Sequence, residues 1–168
     1  CNIEVVSGYE KCVLHREETN TGDGKIQLIE NKEFYETLLE YIVEDIYKIG
    51  KHQGNYSKQQ FMGFFTGREG TTKQGVLDII KTSEVGLVGI NFPEKSKYDS
   101  RDFFELMTEL QGVHFDSCRF SSTSLMFDKT KVFFQDCVFT KDWHLTNTPL
   151  LENVDGYMYQ NCSFKGNV

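Results

Sequence analysis

FFQDCVF, residues 133–139, decides how the C-terminal third of the chain is read. HFDSCRF at 114–120 and YMYQNCSF at 157–164 share its build: an aromatic residue, two positions, a cysteine, one position, a phenylalanine. The copies are Phe115/Cys118/Phe120, Phe134/Cys137/Phe139 and Tyr159/Cys162/Phe164, with Tyr9/Cys12/Leu14 a near match. A chain of 168 residues with 14 Phe, 8 Tyr and 5 Cys predicts far fewer than one copy by chance, so the self-similarity has a structural cause.

Within each copy the two large residues lie five apart. The step extends through Leu110, Phe115, Phe120 and Leu125 in one register, and through Phe134, Phe139, Val154, Tyr159 and Phe164 in another. Two residues before several of these sits something smaller: Val113, Cys118, Thr123, Val132, Cys137 and Cys162. A step of five fits neither the helical period nor strand alternation. It fits a chain that turns a corner every five residues, sending one bulky and one small side chain inward per side. Successive turns would then pair at about 4.8 Å.

The run from Leu110 to Phe120 resembles the pentapeptide-repeat proteins, over roughly residues 108–168. That resemblance implies a right-handed quadrilateral β-helix with four pentapeptides, about twenty residues, per coil. Phe120, Phe139 and Phe164 are 19 and 25 residues apart, one coil less a residue and one coil plus five. Cysteine stands where the family has alanine, and phenylalanine where it has leucine. Between 140 and 153 the pattern fails, with His144 and Pro149 at the large positions and Asp142, Asn147 and Glu152 at the small ones. A bulge or protruding loop around Trp143-His144-Leu145 is expected there, and Trp143 and His144 are the candidate binding residues. A conventional β-sheet domain with aromatic-rich strands is the alternative architecture.

Upstream the periodicity changes. Short β-leaning runs at Ile3–Val6, Cys12–Leu14 and Ile26–Ile29, separated by Ser7-Gly8 and Thr21–Gly24, predict hairpin strands. Phe34, Leu38, Leu39, Ile42, Val43, Ile46 and Ile49 predict a helix over 32–49, capped by Asn31 and ended by Gly50. Ser57 caps a short helix through Phe61 and Phe65. Thr71 or Thr72 starts another that buries Val76, Leu77, Ile79 and Ile80. Leu87–Ile90 reads as a buried strand or extended run. Asp99 or Ser100 caps a helix using Phe103, Phe104, Met107 and Leu110. The fold expected is α+β: an N-terminal capping part, 1–107, docked on a short β-helix, 108–168.

The formal charge is -7, and residues 108–168 hold five Lys/Arg against seven Asp/Glu. Such a balance disfavours a nucleic-acid binder, which needs a basic face. It also lacks the dense acidity expected of the DNA-mimicking, topoisomerase-blocking members of the resembled family. Residues 55–85, with four Lys/Arg and three Asp/Glu, are no helix-turn-helix DNA reader either. No 18-residue apolar run suggests a membrane span.

The cysteines have neither disulfide-framework nor CxxC spacing, so they are read as reduced, buried small hydrophobes in a reducing compartment. No phosphate loop, metal-hydrolase motif, nucleophile elbow or calcium loop occurs. Cys12 and His15, on an extended run, would point to opposite faces. His114 flanks an inward Phe115 and should face outward. No cofactor, metal or catalytic residue is assigned. A lyase-like acidic cluster of Asp116, Asp128, Asp136 and Asp142 is the enzymatic alternative.

The functional expectation is a protein-binding module. Pentapeptide-repeat segments are similar to parts of bacterial effectors delivered into host cells, one group of which places a β-helix ahead of a HECT-like ubiquitin-ligase domain. A start at Cys1 and a stop after the third copy suggest a piece of something longer, with a further segment or second chain covering the last coil.

Overall fold

The computed structural model describes residues 11–16, 24–66, 74–93, 107, 109–121, 131–143 and 158–168, with side chains omitted at 24–30 and 66. The expected hairpin at Ile3–Val6, the Phe103–Phe104 helix, Leu125, His144, Pro149 and Val154 fall outside them.

Among the described residues the fold is α+β, with three α-helices and two parallel sheets. Helix α1 runs Gly24–Gly50. It takes in Ile26, Leu28 and Ile29, which the sequence reading assigned to a strand. Once a helix is nucleated, each added residue costs one pair of dihedrals for one hydrogen bond, and a weak local β preference yields to it. Asn31 is consequently a buried mid-helix residue rather than a cap. Phe34, Leu38, Ile42, Val43 and Ile46 are buried as their spacing predicts, while Ile49 at the frayed end is 49% exposed.

Helix α2 spans Lys58–Thr66. Ser57 precedes it, its backbone N–H donating to Gln60 Oε1 at 2.8 Å, one half of a capping box. Phe61 and Phe65 are buried beneath it. Helix α3, Gln74–Lys81, buries Val76, Ile79 and Ile80 and leaves Leu77 half-buried. Residues 13–15 form a 3-10 turn, not the expected strand.

The strands are β1 Glu84–Val88, β2 Asn91–Phe92, β3 Gly112–Asp116, β4 Arg119–Phe120, β5 Lys131–Gln135, β6 Val138–Phe139, β7 Tyr159–Gln160 and β8 Ser163–Phe164. One sheet has the order β1-β3-β5-β7 and the other β2-β4-β6-β8, all pairs parallel. The chain therefore passes from one sheet to the other in each of four layers. Leu87, Phe115, Phe134 and Tyr159 stand in one register column, and Phe92, Phe120, Phe139 and Phe164 in the second. These are the five-step residues of the repeats.

The first layer begins at Glu84, upstream of the 108 boundary set from the sequence. Leu87 and Phe92 keep the step of five, and Ile90 replaces the cysteine, so this copy lacks the signature by which the others are found. Its membership rests on the corner. Gly89, Ser117, Asp136 and Asn161 all have positive φ, between 52° and 68°, two residues after the large residue of the first column. A left-handed residue is needed to turn the chain between sheets; glycine does this freely, and Asn and Asp more easily than most.

The corners stay in register through backbone bonds. The N–H groups of Gly89, Ser117 and Asp136 each donate at 2.9 Å to the next layer, at the carbonyls of Asp116, Gln135 and Gln160. After the corner the direction reverses: Arg119, Val138 and Ser163 donate back to the carbonyls of Ile90, Cys118 and Cys137.

Rings fill the interior. Phe92–Phe120, Phe120–Phe139 and Phe139–Phe164 stack at 4.7, 5.0 and 4.7 Å with planes within 9°. Phe115–Phe134 and Phe134–Tyr159 also stack, at 5.1 and 4.9 Å with planes within 10°. Within a layer the columns meet edge to face, as Phe115–Phe120 and Phe134–Phe139 show. This geometry suits the ring quadrupole and adds about 0.5–1.5 kcal/mol per pair beyond burial. The helices join the same core at the first layer, where Phe34 of α1 meets Phe92 edge to face at 5.7 Å.

Candidate functional site

Strand alternation leaves one face of the β1-β3-β5-β7 sheet outside the ring columns. Gly86, His114 and Phe133 are register partners on that face. His114 and Phe133 stack at 4.8 Å, the histidine exposed and the phenylalanine half-buried. Beside them Val88 is 59% exposed, in register with Asp116, Gln135 and Gln160. Nothing lies within 4 Å of a Cβ built on Gly86, so this end of the strip is flat and open. Glu84 borders it, with Oε2 3.9 Å from His114 Nε2. The outward placement of His114 agrees with the sequence reading. Phe133, the first residue of the 133–139 motif, also lies on this face, where the sequence pattern alone does not place it.

The other candidates fare differently. Trp143 is 1% exposed and packs on Phe139, Phe120 and Phe134 at 4.4, 5.7 and 5.9 Å. Its indole Nε1–H donates to the Tyr159 hydroxyl at 2.9 Å. It is a core residue, which corrects its reading as a recognition residue. The five-step register slips by one after Phe139, so Trp143 takes the inward position that the pattern gave to His144. His144 itself falls outside the described residues.

Cys118, Cys137 and Cys162 line the small inward column below Ile90. Each thiol donates to a carbonyl of the preceding layer: Cys118 to Leu87 at 3.2 Å, Cys137 to Phe115 at 3.4 Å and Cys162 to Phe134 at 3.4 Å. The neighbouring Cys118 sulfur, and then burial, push the Cys137 thiol far above its ordinary range. Burial also raises Cys162. Cys118 is shifted the other way, lowered first by its hydrogen bond with the Cys137 sulfur; the three sulfurs serve as packing inside the column.

Cys12 and His15 depart from expectation. The 3-10 turn brings residues i and i+3 to one side, and Cys12 Sγ lies 2.9 Å from His15 Nδ1. The extended run assumed from sequence would have parted them. Among the described residues no group of three or more His, Cys, Asp or Glu side chains could hold a metal, and no helix is long and apolar enough to cross a membrane. Asp128 of the proposed acidic cluster is not described. No family model, curated protein or solved structure matches the chain.

Proposed function

We propose that the paired layers of β1 to β8 belong to a short right-handed β-helix of pentapeptide-like coils, and that the chain is a non-catalytic module that holds a protein partner against its outer face. The parallel, in-register layers, the step of five and the recurring left-handed corner support the coil reading. The observation that carries the binding reading is the flat strip of Gly86, His114 and Phe133 with exposed Val88 beside it, rimmed by Glu84, Asp116 and Lys131. Exposed apolar and aromatic side chains bordered by charged ones suit a protein interface. Rigid parallel layers hold such a strip in one shape without a loop to order, which lowers the entropic cost of docking. The resemblance to segments of bacterial effectors makes a host protein the expected partner class.

A photo-crosslinking amino acid at Val88 or Gln135 tests this, with the same residue at Glu40 on the exposed side of α1 as the control. Discrete adducts from the strip, abolished by Phe133→Glu and absent at the control, are expected. Equal adduct patterns at both places would remove the strip as an interface.

A further inference from the structure

We propose that Cys12 is a modification site for small, uncharged electrophiles, with His15 as the acceptor of its proton. A nucleophilic thiol needs a base within hydrogen-bond reach and a frame that holds the base in place. The 2.9 Å separation of Cys12 Sγ and His15 Nδ1 supplies the first, in the tautomer that carries its ring proton on Nε2. The frame has two parts. His15 N–H donates to the Cys12 carbonyl at 3.0 Å, closing the turn. Asn91 Nδ2 then donates to the carbonyls of both His15 and Arg16, at 3.0 and 3.1 Å, pinning the turn to the first layer. The imidazole also faces the Gly89 corner, where a Cβ would stand 3.6 Å from Cδ2.

The contrast with the interior column sharpens the assignment. Cys118, Cys137 and Cys162 have backbone carbonyls and one another's sulfurs as partners, with no histidine among the hydrogen bonds described for them. Cys12 is bonded to a base. It is 6% exposed, at the edge of the core cluster and next to an exposed Lys11. So little exposure restricts the reagent to a small one. In the step itself the thiol proton passes to Nδ1, the sulfur pair forms a bond to the electrophilic carbon, and the leaving group departs with its electrons. The imidazolium then returns its proton to water.

The probe is iodoacetamide on the folded chain, with the rate at each cysteine read by peptide mass spectrometry. Cys12 should be carbamidomethylated about tenfold or more faster than Cys118 and Cys137 at neutral pH. His15→Asn should slow Cys12 by about tenfold, leaving the column rates unchanged. Unfolding in urea should equalise all the sites in either variant, a readout that does not require the variant to fold. Labelling of Cys12 no faster than Cys137 in the native chain would overturn the proposal. So would a fast rate indifferent to His15.

Discussion

Helices α1 to α3 close their hydrogen bonds within themselves, whereas each strand from β1 to β8 depends on the layers beside it. The helices bury mainly aliphatic residues at steps of three and four, around Leu38, Ile42 and Ile46. The layers bury rings at a step of five, and every ring touches its own layer and its neighbours. A helix can therefore lose one side chain and repack locally, while a gap in a ring column is shared by three layers. The largest effect is accordingly expected at Phe120, which contacts Phe92, Phe115, Phe134, Phe139 and Trp143. Phe120→Ala should cost about 3–5 kcal/mol in urea unfolding, and Ile42→Ala about 2–5 kcal/mol. Equal, small losses at both would show that the columns are not a cooperative unit.

The corners sharpen the same contrast, because their conformation has no counterpart in the helices. Asp136 stands at φ 52° and is exposed, so its side chain contributes little packing. Asp136→Ala should destabilise by about 1–2 kcal/mol through the left-handed backbone alone. Asp136→Gly should be tolerated or mildly stabilising, the reverse of the order expected on the exposed face of α1. Chemical denaturation of the pair of variants checks this; the same rank order at both places would remove the corner argument.

Alkaline pH separates the two regions by a smaller amount. The Cys137 thiol is raised in the folded state, so its stabilising protonation is complete below the ordinary thiol value near 8.5. Above that pH the unfolded chain gives up a proton that the folded chain keeps, and stability falls as pH rises. Urea midpoints at pH 7.5 and 9.5 should therefore differ more for the natural chain than for Cys137→Ala. An identical pH response would mean that the sulfur is not held protonated in the column.

How much of this was legible follows from which residues carry a distinctive signal. The Cys-x-Phe copies exposed three layers, because thiol and ring recur too often for chance. The first layer was hidden because Leu87 and Ile90 fill the same slots with residues common in any strand; Gly89 at the corner was its one mark. Trp143 was misplaced since a register slip of one residue is invisible without the rings that enforce it. The outward Phe133 was overshadowed by its inward neighbour Phe134. Cys12 and His15 were parted by assuming extended backbone, for nothing in Val13-Leu14 announces a 3-10 turn.

The smallest effect lies wholly on the helical side. Lys58 Nζ and Glu44 Oε2 are 2.6 Å apart, joining α2 to α1 through two partly exposed side chains. The hydrogen bond from Lys58, and then its charge, hold the Glu44 carboxyl below its ordinary value. That contribution is present above the ordinary carboxylate range and is lost as acid protonates Glu44. Solvent screens so exposed a pair, and Glu44→Gln should cost less than about 1 kcal/mol near neutral pH. The loss should shrink further in molar salt, where charges a few ångströms apart are screened. Ring stacking in the layers has no such dependence, so added salt should narrow the Glu44→Gln difference while leaving that of Phe120→Ala in place. A salt-insensitive Glu44 effect would mean that the contact works through packing of the Lys58 stem rather than through charge.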